Sequence, residues 1–282
     1  MTPDTHHGYP PFSVVSAFLV PGSPLPYVQR DNPPWGEIAA AMEKAGKALA
    51  ASDPDLIVIY STQWIAVLDQ LWQTRAVLQG LHVDENWHEY GDLPFDMKID
   101  VEFAELALKK TAAAGIKAKG VDYDHFPVDT GAIVASNFLN PGGDIPLAIT
   151  SNNVYHDWQM TESLGRVAAE SAAELDRKLA VIGVGGLSGS IYRHVIDISD
   201  DKIADPAEDE WNRKILAIME QGDTETLLQT CHDYAAAARV DMGFKHFAFI
   251  MGATGNRFNN ATVHAYGPLY GSGAAVVEFD LA

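Results

Sequence analysis

The strongest constraint on this chain is a set of short, unbroken apolar runs rich in β-branched residues, with room for a helix between them. Residues 13–20, 55–60, 145–151 and 179–184 are such runs. A strand with one wet face alternates polar and apolar residues, whereas a continuous run suits a strand covered on both faces. Between the first two runs Ile38, Met42, Ala45 and Leu49 share one helical face, and Asp53-Pro54 stops that helix before the next strand. This alternation predicts an α/β fold: a single domain with a central mixed, mostly parallel sheet flanked by helices on both faces.

The remaining elements follow from local signals. Asp100 caps a helix over VEFAELALKK, in which Phe103, Leu106 and Leu108 give an imperfect apolar face, and 116–121 reads as a strand. A helical pattern covers 161–178. Asp205-Pro206-Ala207-Glu208 is a helix start, with a capping side chain, proline at the first helical position and Glu where a capping box wants it. Segments 227–238 and 244–252 read as helices, and 261–265 and 274–279 as closing strands joined by a glycine-rich turn. No repeat or linker divides the chain, so 13–282 is expected to form one domain. Residues 1–12, MTPDTHHGYPPF, have no period and no basic-then-apolar targeting pattern, and are expected to be a loose arm.

Charge narrows the function. Against 19 Lys plus Arg the chain carries 38 Asp plus Glu, a net charge of −19 spread along its length. Such a surface repels phosphate backbones and anionic leaflets, which argues against nucleic-acid and membrane-surface roles. The single cysteine, Cys231, lies in a helical pattern and excludes both an internal disulfide and a Cys-rich metal site. A reducing cytoplasm is the expected setting, and no apolar run approaches the ~18 residues of a membrane span.

Local motifs are weak. The run from Gly183 to Gly189 follows a strand, but Ser188 stands where G-x-G-x-x-G needs its third glycine, so it reads as a turn forming a pocket wall. No H-E-x-x-H or G-x-S-x-G is present; His6-His7 and the pair His82 and His88 are the nearest histidine groupings. His125, in the polar loop YDHFPVDTG, and His156, beyond the 145–151 run, fall where an open α/β sheet keeps its crevice. Each reads equally well as a loop histidine bonded to backbone.

Longer motifs carry more. Pro21-Gly22-Ser23-Pro24 and Ser61-Thr62-Gln63-Trp64 resemble segments of the class III extradiol dioxygenases of the protocatechuate 4,5-dioxygenase type, over a stretch from about Val14 to the end. In catalytic members these segments read Pro-His-x-Pro and Ser-x-His-Trp, and the two histidines with a later Glu hold Fe(II). Here the histidine positions are Gly22 and Gln63. The family's catalytic histidine follows a Leu-Ser pair; here Leu187-Ser188 is followed by Gly189, and Arg239 is the best match to the iron-binding Glu. Glycine has no donor atom, glutamine is a weak neutral ligand, and a guanidinium stays protonated.

STQW, VDENW (83–87), YDHFPVDTG, SNN with Tyr155-His156, GVGGLSG, RVDMGFKH and YGPLYGSGAAVVEF are together similar to the family of 2-aminophenol 1,6-dioxygenase α chains. The resemblance implies a metal-free, non-catalytic α subunit, partnered by a homologous iron-bearing β subunit in an α2β2 assembly. The Fe(II) then sits in the partner, and the assembly opens the ring of 2-aminophenol or a substituted 2-aminophenol with O2. Trp64, His125, Asp129, Asn152 and His156 are the expected lining of a vestigial pocket, or else fold-stabilising contacts. Two other readings stay open: a stand-alone aromatic-ligand sensor, and an enzyme whose metal site has moved to His125, His156 and nearby carboxylates.

Overall fold

A computed structural model describes residues 13–189 and 195–281; the 1–12 arm, with His6 and His7, lies outside them. In chain order the elements are β1 (Val14–Val20), α1 (Leu25–Val28), α2 (Pro33–Ala51), β2 (Leu56–Ala66), β3 (Gln70–Gln73), β4 (Val77–His82), β5 (Leu93–Lys98) and α3 (Val101–Ala113). Then come β6 (Ala118–Val121), α4 (Thr130–Leu139), β7 (Leu147–Asn153), α5 (Trp158–Glu174), β8 (Leu179–Val184), α6 (Pro206–Gln221), α7 (Thr224–Ala237), α8 (Lys245–Ala253), β9 (Asn260–Leu269) and β10 (Ser272–Asp280).

Eight strands form one sheet in the order β6-β3-β7-β2-β8-β1-β10-β9, and β4 with β5 makes a separate two-stranded ribbon. The four central strands, β7, β2, β8 and β1, run parallel, while β10 and β9 close one edge antiparallel. The expected α/β architecture is therefore present. Central strands are buried on both faces, as their continuous apolar sequences require. Along β2, Leu56, Val58 and Tyr60 enter one core while Ile57 and Ile59 enter the other. The first core is covered by α3, α5 and α6 to α8, contributing Phe103, Leu164, Ile215, Tyr234 and Phe247. The second lies under α2 and α4, with Trp35, Met42, Ile133 and Phe138.

Part of the acidic excess is structural. Asp100, Asp129, Asp157, Asp205 and Asp223 each accept a backbone N–H in the first turn of α3, α4, α5, α6 and α7. A cap of this kind contributes about 1 kcal/mol. The segment read as a polar loop, YDHFPVDTG, turns into α4 at Thr130. That helix, TGAIVASNFL, is buried nearly all round, so it carries no amphipathic stripe to announce it.

Candidate functional site

Parallel strands deliver their carboxyl ends to one edge of the sheet, and the site lies there. Beyond β1 the chain passes through Pro21 and Gly22; β2 continues past Tyr60 to Gln63; beyond β8 come Gly186, Ser188 and Gly189. A turn between α7 and α8 adds Arg239 to Met242. Gly22, Gln63, Gly189 and Arg239, widely separated in sequence, all line one cavity of 470 Å³. The glycine run supplies part of its wall.

What occupies those positions is backbone and amide. A Cβ placed on Gly22 would lie 2.9 Å from Gln63 Nε2, 3.0 Å from Gly131 Cα and 3.0 Å from Val184 Cγ1. One placed on Gly189 would lie 2.6 Å from the Arg239 carbonyl oxygen. The walls have closed onto both glycines, leaving no room for a side chain without movement. Arg239 has a left-handed backbone, φ 49°, and its guanidinium bonds Glu208 on α6 at 2.8 Å and Asp205 at 3.2 Å. Glu208 therefore pairs with this arginine, while Asp205 Oδ1 accepts the Ala207 N–H.

These donors do not fit a family-type iron centre. Two positions offer no side-chain donor, the third a neutral amide, and the fourth a cation already paired with carboxylates. Among the described residues no three His, Cys, Asp or Glu side chains come together to hold a metal ion elsewhere.

The rest of the cavity is an aromatic corner and two carboxylates. Trp87 meets the Tyr270 ring edge-on at 4.8 Å and stacks on Tyr90. Its loop is held by Asp84, whose Oδ1 accepts the Asn86 and Trp87 N–H groups and whose Oδ2 accepts the Thr130 hydroxyl at 3.1 Å. Asp241 Oδ2 accepts from the Thr62 hydroxyl at 2.6 Å and the Gly186 N–H at 3.1 Å. Burial raises the Asp241 carboxyl above the usual carboxylate range, and these donors offset part of the shift.

Trp64, His125, Asp129, Asn152 and His156 are not among the residues lining this cavity. Trp64 packs edge-on against Phe126. His125, with φ 61°, borders a groove beside β4, next to the ion-paired Arg75 and Asp124. Asp129 Oδ1 caps α4 through the Ala132 N–H and accepts from Ser61 at 2.5 Å, and burial raises its carboxyl. Asn152 accepts from the Tyr60 hydroxyl at 2.9 Å and donates to the Thr62 carbonyl. His156 is lowered by burial and then by Lys245. Sequence spacing singled out residues after strands; of these, Asp129 serves as a helix cap and Asn152 makes buried hydrogen bonds, while His156 Nδ1 is buried without a partner among the described residues. The residues it passed over, Asp84, Trp87, Asp241 and Tyr270, stand inside the long quoted motifs VDENW, RVDMGFKH and YGPLYGSGAAVVEF.

With that geometry in place, comparisons with known proteins are specific. The family model described as the catalytic LigB subunit of aromatic ring-opening dioxygenase matches residues 17–278. The 2-aminophenol 1,6-dioxygenase alpha subunit of a Pseudomonas species is 49% identical over 270 residues, covering 95% of this chain and 100% of the relative. The beta subunit of the same name, also from Pseudomonas, is 25% identical over 288 aligned residues, covering 95% of this chain and 94% of its own. An uncharacterized Escherichia coli K12 protein, JW3007, has a solved structure that superposes with a TM-score of 0.65 at 15% identity, covering 94% and 99% of the two chains. That last likeness concerns the fold alone.

Proposed function

The chain belongs to the family of the catalytic LigB subunit of aromatic ring-opening dioxygenases, and on that premise we propose that it is a non-catalytic α subunit of a heteromeric, Fe(II)-dependent extradiol dioxygenase. Its partner is a homologous β subunit that bears the iron, and the assembly opens the ring of 2-aminophenol or a substituted 2-aminophenol with O2. The observation that carries this reading is the convergence of Gly22, Gln63, Gly189 and Arg239 on one cavity that has no iron-ligating set. Relatives named as alpha and beta subunits of 2-aminophenol 1,6-dioxygenase, both matching nearly the whole chain, support the pairing.

A subunit without chemistry of its own contributes by linkage: contacts made only by the folded partner stabilise that partner's active shape. No described helix is long and apolar enough to cross a membrane, and the lone buried Cys231 suits a reducing cytoplasm. Oxygen uptake on 2-aminophenol, measured in air-saturated buffer after anaerobic loading with Fe(II), tests the assignment. The chain alone is expected to give none, and the mixture with the β subunit is expected to exceed β alone. Turnover by the chain alone would overturn the reading.

A further inference from the structure

Exposed apolar surface on this chain is not scattered. Among the described residues, every exposed large apolar side chain except Val195 lies between residues 65 and 83, at 123 or at 154–155. The long helices α2, α5 and α6 contribute none. Much of this surface is one projection at the carboxyl edge of the sheet. There β2 pairs with β8 only as far as Ser61, then runs on beside β7, with Ile65 opposite Asn152 and Ala66 opposite Asn153. The Val154 N–H donates to the Ala66 carbonyl at 3.0 Å, the Tyr155 N–H to Asn153 Oδ1 at 3.0 Å, and Lys245 Nζ to the Asn153 carbonyl at 2.9 Å. A firmly held backbone thus carries Ile65, Leu68 and Tyr155 into solvent, 52%, 79% and 79% exposed. Single exposed apolar residues need no explanation, whereas a contiguous group of them marks a contact surface.

Charge is missing where this surface lies. The chain has 38 Asp plus Glu, yet residues 60–68 and 145–156 hold no Asp, Glu, Lys or Arg. Charges at the margins are engaged within the chain: Asp69 pairs with Lys117 at 3.1 Å and Arg75 with Asp124, while Asp157 Oδ1 accepts the Met160 N–H. Interface centres are depleted of charge and enriched in aromatic residues in the same way. From the projection the apolar surface continues: Trp64 packs edge-on against Phe126, which lines the groove beside β4 where Val77, Leu81 and Tyr123 are exposed. Two copies of this chain would bring −19 against −19, and like charges oppose association. The occupant that fits is a less acidic chain of the same fold.

We propose that this projection, with the groove beside β4, is the face that seats the β subunit, through an uncharged, apolar and aromatic surface on that subunit. The proposed function supplies the partner's identity; the place of contact rests on the surface itself.

Sedimentation velocity of the full chain, alone and titrated with the β subunit, tests it. Leu68→Asp and Tyr155→Asp are each expected to weaken association with β at least about tenfold. Both side chains are exposed, so the melting temperature of the chain alone should not change. Val195→Asp, at a position 94% exposed, is expected to bind β as wild type does. Wild-type affinity in both variants, or an equal loss in Val195→Asp, would overturn the proposal and leave the heteromeric reading intact. A chain that dimerises alone, and is dissociated by Leu68→Asp while β still binds, would also overturn it by giving the face to a second copy. Failure of the wild-type chain to bind β would overturn both.

Discussion

Alanine at Gly189 is a sharp test of how tightly the cavity wall packs at that position. The added methyl would sit 2.6 Å from the Arg239 carbonyl oxygen, well inside contact distance. That oxygen belongs to backbone fixed on either side: Ala238 N–H donates to Tyr234, and Arg239 itself is anchored through its guanidinium to Glu208. Relief requires displacement of the α7 carboxyl end, and overpacking of this kind costs about 1–3 kcal/mol. At Gly22 the nearest atom is the far end of Gln63, an exposed side chain that can swing away, though Gly131 Cα and Val184 Cγ1 at 3.0 Å remain. Gly22→Ala is therefore expected to cost less than Gly189→Ala. In chains of this general size 1 kcal/mol shifts the melting point about 2–4 °C, so Gly189→Ala should melt roughly 2 to 12 °C below wild type. Differential scanning calorimetry of both variants checks this. A Gly189→Ala protein melting within a degree of wild type would refute the claim that the wall is closed against Gly189.

Other consequences follow from single contacts. Tyr60→Phe removes the hydroxyl that serves the buried Asn152 Oδ1, and should destabilise by about 1–3 kcal/mol in urea denaturation, without opening the fold. Cys231 is 1% exposed and burial pushes its thiol up to about 12, so native protein should resist alkylation at neutral pH and take up one label only when unfolded. His246, fully buried with both ring nitrogens unpartnered, is depressed from 6.5 to about 3 by burial. Between those values the unfolded chain binds the extra proton, so this group's stabilising contribution is complete above about pH 6.5 and falls by about 1.4 kcal/mol per unit as pH drops toward 3. The raised carboxyls of Asp129 and Asp241 act in the opposite sense on acidification. His246→Leu should accordingly flatten the acid limb of a stability–pH curve, and an unchanged limb would contradict the assignment.

The parallel core was legible because burial on both faces forces an unbroken apolar run: 179–184 is β8 itself, and 13–20, 55–60 and 145–151 overlap β1, β2 and β7. The caps at Asp100 and Asp205 were legible for the same local reason, a carboxylate ahead of orphan N–H groups. The short strands β3 to β5 were not: β4 and β5 form a ribbon whose exposed and buried positions follow no regular alternation, and β3 is four residues long with buried glutamines at both ends, so it shows no apolar run. Nor was α4, whose all-round burial erases the 3.6-residue stripe. The cavity was visible in its losses: a residue such as Gly22 or Gln63 is conspicuous against a family pattern. Its positive features were hidden because Trp87, Asp241 and Tyr270 come from three distant loops. Spacing drew attention instead to His125 and His156, whose surroundings the tertiary structure decides.

The iron content of the assembled complex tests the central claim most directly. Equimolar α and β chains, copurified anaerobically with Fe(II) and analysed by inductively coupled plasma mass spectrometry, should carry one iron per pair, with none retained by the α chain when the two are separated. Two irons per pair, or iron that stays with the α chain, would contradict it.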